Sequence, residues 1–219
     1  MKYRIAYIDE DKGWINTFYH TFKNDFDIEK IHVTSKSTVD SILEQIFSTE
    51  INAIVTDYLL EENADVSFNG NKIVNELKLR RPHFPVVMLT SFTTQAINHT
   101  DDVHIIYSKD TLTVENENDE EELDVFRKKI SSNISNYYKK IENTNGEIEK
   151  LVEKRNNKGL DVYEEERLAK LYILFDELNP EGKEIPANLI NRDSISKLNE
   201  FVHETKEILN ELKKLNKKK

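Results

Sequence analysis

The sequence predicts an α/β chain, a doubly wound five-stranded parallel sheet, followed by an all-α helical hairpin of coiled-coil character. Two observations carry this. Through residues 1–115, short apolar runs alternate with segments of helical period, the pattern of repeated βα units. Beyond residue 115 the β-branched runs almost vanish, and Glu, Lys, Leu, Ile and Asn recur at helical spacing. The expected division is therefore an α/β domain over 1–117 and a three-helix output or dimerisation domain over 118–219.

The elements follow in order. Tyr3 to Ile8 is a short apolar run ending in acids, as a buried strand would. Trp14, Ile15, Phe18, Tyr19 and Phe22 share one face of a helix. Ile28 to Val33 is a second strand. Ser37 then caps a helix carrying Val39, Ile42, Leu43, Ile46 and Phe47. Ile51 to Thr56 is a third strand, ending at Asp57. Ile73, Val74, Leu77 and Arg80 mark a third helix, stopped by Pro82. Pro85 to Leu89 is a fourth strand, followed by a short polar helix around Thr94–Asn98, and Val103 to Tyr107 is a fifth. Right-handed crossovers between such units give a doubly wound sheet.

In the second half, Asp119 to Glu122 form an acidic first turn that complements a helix dipole. Leu123, Ile130, Ile134, Tyr137, Ile141, Thr144, Ile148 and Leu151 then make one stripe. About 38 residues at 1.5 Å each give a rod of roughly 57 Å, longer than a compact α/β domain can cover. Its apolar stripe is expected to meet the later helices, a second copy of the chain or a helical partner. Asp161 with Glu164 resembles a capping box that opens the next helix, with Leu168, Leu171, Tyr172, Phe175 and Leu178 on its face. Pro180, Gly182 and Pro186 break the chain, and a last helix is expected from about Asp193 to Leu215.

Composition narrows the function. The 219 residues carry a net charge of −10 and no cysteine, so disulfides, thiolate zinc sites and cysteine nucleophiles are excluded. Residues 1–115 hold 11 basic and 18 acidic side chains (net −7), and the remainder 20 and 23 (net −3). Neither half has the basic surplus with which nucleic-acid binders displace counterions, and no DNA-binding module is recognised. No apolar run is long enough to span a membrane and no secretory signal is visible, so a cytoplasmic protein is expected.

A doubly wound sheet places its ligand outside the carboxyl ends of the strands, where the strand order reverses. Strand one ends in Asp9-Glu10-Asp11, strand three in Asp57, strand four in Thr90-Ser91, and strand five runs into Lys109. Each alone has a bland account as a loop acid, a turn hydroxyl or a surface charge. Together they bring several carboxylates close, which is unfavourable unless a cation or a proton offsets them. Mg²⁺, a hard oxygen-liganded ion, suits such a set. A hydroxyl and an ammonium on the opposite rim suit an oxyanion, with phosphate the obvious candidate.

These residues resemble the receiver domain of two-component response regulators. Ile8-Asp9-Glu10-Asp11 resembles its acidic cluster, Ile54-Val55-Thr56-Asp57 its acceptor strand, Pro85 to Ser91 its fourth strand, and Ser108-Lys109 its lysine. The resemblance implies that Asp57 is the phosphoacceptor, and that Mg²⁺ is held by Asp9 or Glu10, Asp57 and the backbone carbonyl of Leu59. It further implies that Thr90 and Lys109 bind the phosphoryl group. A histidine kinase or phosphotransfer protein would be the donor, the chain itself being a phosphoacceptor rather than an enzyme.

Several positions depart from the pattern. Leu59-Leu60-Glu61-Glu62 stands where a proline is usual, the loop from Asp57 to Gly70 is long, and Asp110 replaces the proline after the lysine. The switch aromatic's place is taken by Ile106. Tyr107, the candidate aromatic, comes one residue later, which turns it to the other face of the strand. The chemistry is retained by these changes and the usual readout is altered. The alternative to a phosphorylated regulator is an adaptor of the same fold that takes up no phosphate and serves as a fixed docking surface.

Overall fold

The computed structural model describes residues 2–178. Five strands, β1 (Arg4–Asp9), β2 (Asp27–His32), β3 (Ala53–Thr56), β4 (Val86–Thr90) and β5 (Ile106–Ser108), form one parallel sheet in the order β2-β1-β3-β4-β5. The helices are α1 (Lys12–Phe22), α2 (Val39–Ser48), α3 (Glu61–Ala64), α4 (Gly70–Arg80), α5 (Thr93–His99), α6 (Glu117–Lys158) and α7 (Val162–Leu178). Successive residues of β1 serve opposite layers, as the two-residue period of a strand requires. Ala6 and Ile8 enter a core with Ile42, Ile46, Ile73 and Leu77 of α2 and α4. Ile5 and Tyr7 enter a second core with Phe18 and Phe22 of α1.

Local chemistry sets the element ends. Asp11 caps α1 by accepting from the Gly13 N–H at 2.6 Å. The cap of α2 is Thr38 rather than the expected Ser37. Thr38 and Ser41 exchange side-chain and backbone hydrogen bonds in a capping box, while Ser37 Oγ accepts from the Thr34 N–H at 3.0 Å in the preceding turn. Pairing of β5 begins at Ile106 instead of Val103. Asp102 accepts from the His104 N–H and turns residues 103–105 into a 3₁₀ turn. α3, which the sequence did not suggest, lies in the long loop after β3; Asn69 Oδ1 accepts from the N–H groups of Leu60 and Glu61 at 2.9 and 3.1 Å.

The second half departs from expectation in one important respect. α6 is a single helix of 42 residues, about 63 Å long, capped by Asn116 and its reciprocal partner Asp119. Its first turns complete the second layer of the sheet: Phe126, Ile130 and Ile134 are all buried beside α1, and Arg127 pairs with Asp25 at 2.9 Å. Phe126, Ile130 and Ile134 of α6 thus share one core with the α/β unit. Periodicity gives a helix its apolar face, but not what covers that face.

Tyr137 still packs on Phe84 and the Tyr138 hydroxyl accepts from Asn52 Nδ2 at 2.7 Å; farther along α6, α7 folds back beside it. Lys154 meets Glu164, Arg155 meets Glu165 and Glu147 meets Arg167, so the two helices are antiparallel. Thr144 and Ile148 of α6 and Leu168 and Leu178 of α7 are buried. The Asp161–Glu164 capping box opens α7 as expected, with Glu164 N–H donating to Asp161 Oδ1 at 2.9 Å. The breaks at Pro180, Gly182 and Pro186 and the helix expected from Asp193 lie outside the described residues. The stripe that suggested a second chain is thus covered, at Ile130, Ile134 and Ile148, from within.

A mutation separates the two accounts. Ile134→Asp places a carboxylate at a fully buried position and should cost well over about 4 kcal/mol, read as loss of cooperative melting and of helical circular dichroism. A folded variant that changes only its mass in light scattering would instead put this position in an intermolecular contact.

Candidate functional site

In the strand order β2-β1-β3-β4-β5 the direction of winding reverses between β1 and β3, and a crevice opens at their carboxyl ends. Asp9 is the last residue of β1 and Asp57 the first after β3, whose ladder it extends by donating its N–H to the Ile8 carbonyl at 2.9 Å. Both side chains are buried, as are Thr90 at the end of β4 and Lys109 just after β5. Glu10 is partly exposed beside them. Asp9, Glu10, Asp57, Thr90 and Lys109 therefore converge.

The ammonium of Lys109 lies 2.8 Å from Asp9 Oδ2 and 2.8 Å from Asp57 Oδ2, bridging the two carboxylates. Asp57 Oδ1 accepts the Tyr58 N–H at 2.6 Å, and Asp9 Oδ1 accepts the Asp11 N–H at 2.9 Å. The Thr90 side chain, near enough to Asp57 to lower its carboxyl pKa, accepts the Phe92 N–H on Oγ1 at 3.1 Å. One lysine thus serves two buried acids. Burial pushes the Asp57 carboxyl above its ordinary value, Lys109 opposes the rise, and Asp9 adds to it. Burial pulls the Lys109 ammonium down, but the two carboxylates outweigh it and leave its pKa raised. The cluster carries excess negative charge, the condition under which a further cation is favoured.

Ligand atoms of Asp9, Glu10 and Asp57 lie within 4.8 Å of one another, so three carboxylates could hold one small oxygen-liganded cation. Leu59 sits two residues past Asp57 with its side chain buried in the layer of α2 and α4.

The long loop does not displace the acceptor strand. Gly70 closes it: its N–H donates to the Tyr58 carbonyl at 2.7 Å, and a Cβ there would lie 1.8 Å from the Asp57 carbonyl oxygen. Only glycine lets α4 start so close to Asp57. The residues between form α3 and its flanks, with Leu60 and Ala64 buried in the core of α2 and α4.

Tyr107 is not brought to the site. Leu89 pairs with Tyr107 and Thr90 with Ser108, and the Tyr107 ring packs on Phe126 at 5.1 Å in the layer of α1 and α6. Ile106 faces the other layer. Thr90 and Tyr107 therefore belong to opposite faces of adjacent strands.

Two neighbours of the site went unread in the sequence. Tyr7, fully buried, donates its hydroxyl to Asp9 Oδ2 at 2.7 Å, and its ring stacks on Phe18 with centroids 4.2 Å apart. Trp14 of α1 holds its ring 5.1 Å from the Lys109 ammonium. The signal for Tyr7 was its spacing: two residues before Asp9 on a strand is the same face.

The strand order, the parallel sheet and its two helical layers are those of the flavodoxin-like doubly wound class, to which receiver domains belong. The α/β unit has the receiver fold. Solved structures that resemble it include the BeF3-activated receiver domain of DrrB from Thermotoga maritima, at 15% identity over 62% of this chain and 99% of that one, with a TM-score of 0.44. The signal receiver domain of an HD domain-containing protein from Pseudomonas fluorescens Pf-5 matches at 15% identity over 62% of this chain and 91% of that one, with a TM-score of 0.44. The response regulator TrrA of Thermotoga maritima, in complex with Mg²⁺-BeF, matches at 16% identity over 59% and 99%, with a TM-score of 0.43. No family profile and no curated protein matches the chain. No helix among the described residues is long and apolar enough to cross a membrane.

Proposed function

We propose that this chain is a response-regulator-like signalling protein whose receiver-fold unit accepts a phosphoryl group on Asp57. The observation that carries the reading is the Asp57 carboxylate at the switch point, buried yet paired with Lys109, with Thr90 beside it and Asp9 and Glu10 within metal-ligand reach. The donor is the phosphohistidine of a histidine kinase or phosphotransfer protein, or a small acyl phosphate. A carboxylate oxygen of Asp57 attacks phosphorus as the bond to the donor breaks; a phosphohistidine protonated at its other ring nitrogen leaves as neutral imidazole, and an acyl phosphate leaves as its carboxylate. The transition state of such transfers is loose, so positioning and charge neutralisation are what the protein supplies.

Lys109 neutralises one phosphoryl oxygen and the Thr90 hydroxyl donates to another. Asp9, Glu10, Asp57 and the Leu59 carbonyl are the residues that would hold Mg²⁺. When bound, the ion neutralises charge on the phosphoryl oxygens and relieves the crowding of the acids. Because Tyr107 points away from Thr90, the readout runs through the segment after β4 without an aromatic partner from β5. Output is by protein–protein contact of the α6–α7 hairpin, on which Val162, Tyr163 and Ile173 are exposed. A second copy or a helical partner would meet these residues rather than Ile134.

The test is direct. Incubated with acetyl phosphate and Mg²⁺, the chain should gain the mass of one phosphate, and a chelator should prevent it. Failure with both acetyl phosphate and a phosphorylated histidine donor would favour the adaptor reading.

A further inference from the structure

We infer that Tyr7 is a positioning residue for the cation site, holding the Asp9 carboxylate in the orientation that faces Asp57. This rests on the phosphoacceptor reading and extends it to a residue of the sheet interior. Asp9 has three donors: the Tyr7 hydroxyl and the Lys109 ammonium on Oδ2, at 2.7 and 2.8 Å, and the Asp11 N–H on Oδ1, at 2.9 Å. They differ in what they can do. Lys109 reaches Asp9 along a flexible stem and is shared with Asp57. The Asp11 N–H belongs to the loop that starts α1. Tyr7 alone approaches from the same strand, with its ring stacked on Phe18 at an interplanar angle of 7°.

A carboxylate offers about four lone-pair directions. The phenol takes one on Oδ2 from the buried layer of α1; Lys109 and the Asp11 N–H take two more, and one is left for a cation. When a cation enters, the Lys109 contact to Asp9 is the one that can be exchanged for it. The Tyr7 contact stays and keeps the ligand oriented. Hydrogen bonds from outer groups to ligating side chains typically govern metal affinity by about 10- to 100-fold.

Two variants and one probe test this. The chain's only tryptophan, Trp14, lies beside Lys109, so its fluorescence under Mg²⁺ titration reports the site. Tyr7→Phe keeps the ring and its stacking but loses the hydroxyl. Tyr7→Leu loses both. Both variants should bind Mg²⁺ about tenfold more weakly than the wild type, although Tyr7→Leu should melt at a clearly lower temperature. Tyr7→Phe with wild-type affinity overturns the role while leaving the phosphoacceptor reading intact. An affinity loss that follows melting temperature across the two variants, instead of the missing hydroxyl, also overturns it. A wild-type chain that neither responds to Mg²⁺ nor takes up phosphate overturns both.

Discussion

Asp57→Asn should abolish phosphate uptake completely, seen as loss of the added mass after incubation with acetyl phosphate and Mg²⁺. The amide is isosteric and keeps the acceptor for the Tyr58 N–H, so the fold around β3 should survive the change. Asp9 is the other buried carboxylate at this crevice and the only serious rival as acceptor. Its Oδ2 carries both Tyr7 and Lys109 and its Oδ1 carries the Asp11 N–H, so Asp9 holds three protein donors where Asp57 holds two, from Tyr58 N–H and Lys109. Asp57 has the Thr90 hydroxyl and the Lys109 ammonium on hand for the oxygens of an incoming phosphoryl group. Asp9→Asn should therefore weaken phosphate uptake through the loss of a cation ligand without removing the attacking group. Persistent uptake by Asp57→Asn, located by peptide mapping to Asp9 or elsewhere, would displace Asp57 from its role.

The strand ends were legible because an apolar run of four to six residues stops where the sheet meets solvent, and the polar residue that follows must lie at the rim. Asp9, Asp57, Thr90 and Lys109 all sit at such stops, and the reversal between β1 and β3 brings them together. Tyr7 was not legible as part of the site because a tyrosine inside an apolar run reads as core, which it also is. The face of Tyr107 was legible from strand period alone, and its ring does lie in the layer of α1 and α6. α6 was read correctly as one long amphipathic helix. Its partner was not, since Ile130 and Ile134 show the same spacing whether a sheet or another helix lies against them. Gly70 marked the end of an unusual loop, but its reason, contact with the Asp57 carbonyl, is a feature of the third dimension.

Within the site, the largest effect on stability should come from Lys109. In the absence of divalent cations, Lys109→Met leaves Asp9 and Asp57 buried with no opposing charge between them. Removing one partner of a buried ion pair typically costs about 3–5 kcal/mol. In a domain of this size that is roughly a 10 °C fall in melting temperature. Methionine fills much of the volume of the lysine stem, so the loss is electrostatic rather than a cavity. The double variant with Asp57→Asn isolates that cause. With Asp57 neutral, only Asp9 remains charged, and it keeps its bonds from Tyr7 and the Asp11 N–H. The double variant should therefore recover more than half of the stability that Lys109→Met loses. Asp57→Asn alone should melt at or above the wild-type temperature, because one lysine then faces one carboxylate. A packing role for the Lys109 stem predicts the opposite pattern: the loss would be the same with aspartate or asparagine at 57. Thermal melts of the four proteins in chelator, analysed as a double-mutant cycle, decide between them.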